Sequence, residues 1–167
     1  MALVLSLTVL LGVTSMALAL LAVGLLEPQI SRNMVDAARA RGLAEAGVEV
    51  AYGQLGGADV DAPSAPFAIL VTADPRAPWV TLADAVPPDG ARGGTYTVRV
   101  RNDLDPADRV LTGLPAGPEA GESADRDGNG VLIVQSTGAF NRARVTIETV
   151  LRRLPDGVSL FNRRELP

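Results

Sequence analysis

The sequence predicts an α+β protein in which one long N-terminal α-helix packs on a small antiparallel β-sheet. Three observations predict it. The first 26 of the 167 residues carry no charge, the next segment keeps an apolar spacing of three and four, and the C-terminal half alternates apolar and polar residues. The expected divisions are an apolar helical segment at 1–26, an amphipathic continuation of the helix at 27–56, and a β-rich globular domain at 57–167.

The apolar segment is long enough to cross a membrane. A helix of 26 residues reaches roughly 39 Å, more than the ~30 Å hydrocarbon core of a bilayer. No basic residue precedes the segment, whereas a secretory signal starts with a basic region. We therefore expect that a leader is removed in front of Met1, which leaves a free amine at the start of a membrane-spanning helix.

The amphipathic continuation follows directly. Charged residues recur through 32–49 between apolar ones at helical spacing. Gly56 and Gly57 indicate its end, and Pro28, which lacks a backbone donor, predicts a kink or a local opening.

Within this helix, the stretch 37–47 is rich in alanine and glycine. Small side chains let helices approach closely. The stretch packs either on the chain's own domain or against neighbouring copies. The second interpretation is favoured, because the apolar segment before it has no intramolecular partner.

Short β-prone segments follow the helix, interrupted by most of the prolines. The clearest alternates Tyr96, Val98 and Val100 with polar residues. The predicted strands are 67–72, 79–82, 95–101, 131–137 and 143–151, with a hairpin loop at 136–142. Three or more antiparallel strands lying on the C-terminal half of the helix would bury the apolar faces of both.

Composition excludes several functions. The chain has no Cys and no His, which removes disulfides, Cys or His nucleophiles and the usual zinc sites. All basic residues are arginines, and the net charge is −4, so no nucleic-acid partner is expected. No paired carboxylates lie beside a nucleophile, and we expect no enzymatic activity.

One loop has the composition of a metal site. Asp125, Asp127 and Asn129 occupy alternate positions before a glycine, like the first half of an EF-hand loop. The acidic residue expected at the twelfth position is replaced by Ser136, so further oxygen ligands would have to come from elsewhere. The candidates are the acidic cluster Asp103, Asp105 and Asp108, and Glu122. A bound Ca²⁺ and an ordinary Asp/Asn/Gly turn entering a strand both fit this pattern.

Several stretches together resemble the type IV pilin superfamily, most closely the PilX-type pilus-assembly proteins and the minor pseudopilins. The similar stretches are ALVLSL at 2–7, EPQISRN at 27–33, LAEAGVE at 43–49, QSTGAF at 135–140 and ARVTIETVLR at 143–152. The segment 57–120 matches nothing in that family. The resemblance implies a type IV pilin-like fold, and pseudopilins bind calcium in a comparable C-terminal loop.

The resemblance also implies a function and partners. The chain would be a structural subunit of an extracellular type IV pilus-like filament, located in the inner membrane before assembly. It would associate with itself and other pilins, with a prepilin peptidase and with the pilus assembly platform. The implied assembly interface comprises Leu3, Leu7, Leu10, Met16, Leu20, Glu27, Pro28 and Arg32.

One departure from the family keeps two alternatives open. Most major pilins have a glutamate at the fifth mature position, where this chain has Leu5. PilX-like proteins and tip pseudopilins also lack it, so the chain could be a minor pilin or pseudopilin that primes or caps a type IV pilus or a type II secretion pseudopilus. A third possibility is a single-span membrane protein that displays a calcium-binding domain as an adhesin or sensor.

The first prediction concerns processing. Met1 should be the mature N-terminal residue, released by a prepilin peptidase and N-methylated, because a membrane-spanning helix without a basic flank is typical of cleaved prepilins. Intact-mass measurement of the native protein tests this. A mass that corresponds to an unmethylated initiator methionine, translated from its own start codon, would contradict it.

Overall fold

The computed structural model describes residues 1–57, 67, 69, 73–74, 76–88, 93–113, 123–154 and 157–166, with only the backbone of 25, 26 and 57. It forms two compact units, Met1–Asp36 and Ala37–Pro167. Helix α1 covers Ala2–Gly57, and the strands are β1 (Val80–Val86), β2 (Gly94–Asn102), β3 (Val131–Phe140), β4 (Ala143–Leu154) and β5 (Gly157–Leu166). A 3₁₀ turn (Pro106–Asp108) and a short helix α2 (Arg109–Thr112) lie between β2 and β3.

The predicted α+β class is confirmed: the C-terminal part of α1 packs on a five-stranded antiparallel sheet. The strands pair in chain order, β1-β2-β3-β4-β5, which makes the sheet a meander. The helix ends at the predicted Gly56-Gly57 pair, and it is helical on both sides of Pro28.

The predicted hairpin loop at 136–142 is wrong. The strands β3 and β4 pair without interruption up to Phe140 and Ala143, so the turn consists of Asn141 and Arg142 alone. Asn141 takes the positive φ of 52° that such a tight turn needs, which asparagine tolerates. Gly138 and Ala139 are poor strand formers, but their backbone groups are paired on both sides by β2 and β4.

Strand β5 was not predicted from the sequence. Its residues change from an apolar pattern to a charged one, and Asn162 interrupts the alternation. In the structure Val150 pairs with Phe161 and Thr149 with Arg163, so Asn162 is the extra residue of a β-bulge. The Asn162 side chain donates to the carbonyl oxygen of Leu111 over 2.6 Å, which fixes α2 to this edge.

The predicted strand at 67–72 falls largely outside the described residues. Phe67 and Ile69 are described, and neither belongs to a strand. Phe67 is buried in the core beneath the helix, where the Arg153 guanidinium lies 4.0 Å from the centre of its ring. The predicted strand at 79–82 is observed as β1, shifted towards Val86.

Helix α1 approaches the sheet so closely that its backbone touches a strand. A Cβ atom on Gly138 would lie 2.5 Å from the backbone nitrogen of Ala44 and against the carbonyl oxygen of Ala40. One turn further along, a Cβ on Gly47 would meet the Ser136 hydroxyl and lie 3.0 Å from Val98.

These contacts bear out the first interpretation for part of the stretch 37–47, and packing of its exposed residues against neighbouring copies stays a prediction. The small residues Ala40, Ala44 and Gly47 pack on the chain's own sheet. Ala37, Ala38 and Gly42 remain exposed. The stretch therefore serves first to bring the helix close to its own domain.

Each face of the sheet has its own apolar cluster. The helix-side cluster is centred on buried residues of β2, β3 and β4, namely Val98, Val100, Leu132, Val134 and Leu151. The opposite face carries a smaller cluster of Leu111, Val131, Ile133 and Val150, against which Trp79 packs. Burial of the sheet on both faces explains why the first half of β3 is a continuous apolar run.

The second prediction tests the contact between helix and sheet. Gly138→Ala should destabilise the protein by about 3 kcal/mol, because the added methyl group meets backbone atoms that cannot turn away. Gly42→Ala is the matched control: a Cβ added there would have nothing within 4 Å, so the substitution should stabilise the helix by roughly 0.5–1 kcal/mol. Urea unfolding of the full chain in mild detergent, followed by the fluorescence of the single tryptophan, measures both. Equal stability of the two variants would contradict the close approach.

Candidate functional site

The first unit presents apolar side chains on every side of the helix. Each side chain described in 1–24 is exposed, including Leu3 at 78% and Leu20 at 70%. A helix in contact with a soluble core has one apolar stripe, whereas an apolar surface all round is typical of a membrane span or of a helix surrounded by others. Among the residues that the structure describes, one helix is long and apolar enough to cross a membrane, a property that signal sequences share.

The residues of the expected assembly interface are all accessible. Leu7 and Leu10 are each 62% exposed and Met16 is 71% exposed, and Glu27, Pro28 and Arg32 are exposed after them. Exposed apolar residues continue beyond the uncharged segment at Ile30 and Met34. The exposed surface therefore extends past the length that a bilayer core covers.

In the Asp-rich loop, the buried Asp127 organises the backbone. Its Oδ1 accepts hydrogen bonds from the backbone amides of Asn129 and Gly130, over 3.2 and 2.8 Å. Its Oδ2 accepts one from the amide of Phe67 over 3.3 Å. Asp127 thus joins the loop to Phe67, a residue of the helix-side core.

Asn129 and Asp103 lie close together, as expected from the sequence, but Asn129 faces Asp103 with its NH₂ group, a hydrogen-bond donor, and not with its oxygen. The Asn129 amide nitrogen lies 3.3 Å from both carboxylate oxygens of Asp103, and the Asn129 oxygen accepts from the amide of Val131 over 2.9 Å. The amide oxygen that would ligate a cation is therefore directed at the start of β3. This is an Asx turn that leads into a strand.

The remaining two candidate ligands point elsewhere. Asp125 is exposed and accepts a hydrogen bond from the Ser123 hydroxyl over 2.6 Å. That bond, together with a bond from its own backbone amide, holds the pKa of Asp125 below its ordinary value. Asp105 caps the 3₁₀ turn by accepting from the amide of Ala107 over 2.9 Å.

Among the described residues, no three Asp or Glu side chains are arranged to hold a metal ion. Carboxylates that accept amide hydrogens still keep lone pairs, so calcium binding by this loop stays a prediction. In the described residues, these side chains accept hydrogen bonds that hold a series of turns together.

The contacts of the buried Asn102 and of the half-buried Arg101 in the same region were not predicted from the sequence. Asn102, 2% exposed, donates its side-chain amide to the carbonyl oxygens of Ser123 and Arg126, over 2.9 and 3.0 Å. Arg101 forms two bonds of 2.5 Å to Asp108 and lies 4.9 Å from the Trp79 ring. The alternating pattern of β2 predicts Arg101 on the polar face of the strand. That pattern does not identify Asp108 as its partner.

Comparison of the chain with models of protein families, with curated proteins and with solved structures finds no match. The residues and contacts described above are therefore the basis for assigning a function.

The third prediction separates the two interpretations of the Asp-rich loop. Asp127→Ala leaves three amides without their acceptor and should cost about 3 kcal/mol with or without calcium. Asp125→Ala removes an exposed carboxylate that accepts from the Ser123 hydroxyl, so the intrinsic stability should change little.

If the loop binds calcium, the parent chain should melt at a higher temperature in calcium than in chelator, and Asp125→Ala should abolish that difference. Thermal melting of the full chain in detergent, with and without calcium, measures this. If the parent chain melts at the same temperature in calcium and in chelator, the loop does not bind calcium and is an ordinary turn.

Proposed function

We propose that this chain is a structural, pilin-like subunit that assembles through its N-terminal helix into a type IV pilus-like filament at the cell surface. The observation that carries the proposal is the apolar surface of residues 1–24, exposed all round a helix that continues into a folded α+β unit. The resemblance of both ends of the chain to type IV pilins supports it.

An exposed surface of this kind requires a partner. Removing apolar surface from water contributes about 25 cal/mol per Å², so covering a helix of this length contributes roughly tens of kcal/mol. A bilayer provides that cover before assembly, and the helices of neighbouring copies provide it in a bundle. The exposed Ile30 and Met34, beyond the uncharged segment, favour the bundle as the final state.

The second unit is suited to display on such a core. Residues Ala40 to Leu55 of α1 are held on the sheet by the contacts at Gly138 and Gly47, so the same helix serves both the apolar surface and the folded domain. A prepilin peptidase and an assembly platform in the inner membrane would be the partners before export. No reaction is assigned to the chain.

A minor subunit is the second candidate. Leu5 favours it, because an apolar residue there cannot pair with the terminal amine of a neighbour. A minor pilin or pseudopilin would prime or cap a type IV pilus or a secretion pseudopilus rather than build its length. A single-span membrane protein that acts alone is the third candidate.

The fourth prediction tests assembly through the helix. The chain contains no cysteine, so Leu10→Cys and Met16→Cys variants each introduce one defined site for cross-linking. Oxidation of material sheared from the cell surface should give a ladder of covalent multimers for both variants. Arg152→Cys, on the sheet, is the control and should give far less.

The outcomes distinguish the three candidates. A subunit present in the sheared fibres at a small fraction of another pilin indicates the minor role. A chain found only in membranes, with no cross-linked multimers, contradicts filament assembly and leaves the single-span protein. A chain lacking 1–26 that still enters fibres of the same diameter would show that the helix does not hold them together.

A further inference from the structure

The C-terminal end of β5 is held on the sheet without a buried side chain. Beyond the β-bulge at Asn162, three of the four residues 163–166 are exposed and the fourth is partly buried. The first half of β5 differs, because Val158 and Leu160 pack against the helix-side core. The backbone of the end continues to pair with β4. We call residues 163–166 the terminal strap.

On the helix side, two ion pairs fasten the terminal strap. Arg163 lies 2.6 Å from Glu45, and Glu165 pairs with Arg41. Arg41 and Glu45 are about one turn apart on α1, so the order of their charges matches that of the strap. The four side chains are 41–56% exposed, and both pairs are therefore in contact with water.

On the opposite face of the sheet, Arg164 of the strap binds a buried carboxylate. Its Nε and Nη2 donate to Oε2 of Glu148 over 2.9 and 2.6 Å. Glu148 is 5% exposed, and its Oε1 accepts from the side-chain amide of Gln135 over 3.1 Å. Every charged side chain of the strap is therefore in an ion pair, and successive pairs alternate between the two faces of the sheet.

Hydrogen bonds between uncharged groups fix the start of the strap. The side-chain amide of Asn162 donates to the carbonyl oxygen of Leu111 over 2.6 Å, and the Thr149 hydroxyl donates to the carbonyl oxygen of Asn162 over 3.0 Å. Dissolved salt screens the attraction between charges, whereas these bonds join neutral groups. We therefore expect the bulge to stay in place when the ion pairs of the strap are broken.

We infer that the terminal strap is a salt-sensitive fastening that opens by itself while the rest of the sheet stays folded. An exposed ion pair favours the closed form by at most about fivefold, and added salt screens it. No buried side chain of the strap opposes the opening. Opening uncovers the edge of β4 at residues 146–149. The inference goes beyond the proposed function and applies to the single chain.

The experiment is hydrogen–deuterium exchange of the full chain in mild non-ionic detergent, followed by mass spectrometry. Sodium chloride is raised from about 0.01 M to about 1 M, which shortens the Debye length from about 30 Å to about 3 Å. Exchange in the peptide that contains the strap should become roughly tenfold faster, because all of its ion pairs weaken together. Exchange in the central strand β3 should stay unchanged. A short unstructured peptide corrects for the effect of salt on the exchange chemistry.

Charge reversal separates the ion pairs from other effects of salt. Glu45→Arg sets a like charge against Arg163 and should make strap exchange about fivefold faster at low salt. Adding Arg163→Glu forms the pair in reverse and should restore the protection. Glu49→Arg makes the same change of charge at an exposed position of the same helix, outside the described ion pairs, and should have little effect. The fluorescence of Trp79 reports whether each variant is folded.

Equal strap exchange at low and high salt, or a reversed pair that restores no protection, would overturn the inference. Strap exchange that rises only together with that of β3 would also overturn it, because the strap would then open only when the whole unit unfolds. Equal effects of Glu45→Arg and Glu49→Arg would do the same, since the strap would then respond to net charge alone. None of these measurements depends on filament assembly, so their failure is distinct from failure of the proposed function.

Discussion

The close approach of helix α1 to strand β3 is the contact on which the rest of the folded unit depends. Gly138 lies directly against the backbone of Ala40 and Ala44, and Gly47 lies against Ser136. Four small residues let two backbones approach to a separation that larger side chains would prevent. The apolar side chains that follow along the same helix face are then close enough to the sheet to complete the core. The face of the helix that remains exposed follows from this contact, because rotation of the helix would place a larger residue on Gly138.

The end of the sheet opposite the β3–β4 turn is held by polar contacts instead. Asn102 and Asp127 are buried, and their side chains bind backbone groups of Phe67 and of the loop 123–130. The half-buried Arg101 pairs with the buried Asp108 beside Trp79. Buried polar groups that have partners specify one arrangement of loops, whereas unpartnered ones would destabilise it. The aspartates of this region therefore have a structural role whether or not a cation binds.

Composition was sufficient to predict the uncharged segment, and the Gly56-Gly57 pair predicted the end of the helix. Local pattern was sufficient to predict the strands β2, β3 and β4, because burial on one or two faces gives each a regular pattern. Strand β5 has no such pattern, since Asn162 forms a bulge. The turn at Asn141 was placed wrongly because pairing with two neighbouring strands outweighs the weak strand preference of Gly138. The alternation at 125–129 was visible, but the direction of each side chain depends on contacts outside the motif, such as Phe67. Non-local contacts of this kind leave no periodic pattern in the sequence.

Both outer strands of the sheet are irregular, and this limits how copies of the chain can associate. β1 changes register twice against β2, and the backbone of Ala85 takes a φ of 49°, while β5 has its bulge at Asn162. A strand from another molecule needs a straight row of free amides and carbonyls to extend a sheet, and bulges disturb that row. Association of many copies through another surface requires a high local concentration of the chain. The irregular edges hinder the sheets of neighbouring copies from joining into cross-β aggregates at that concentration.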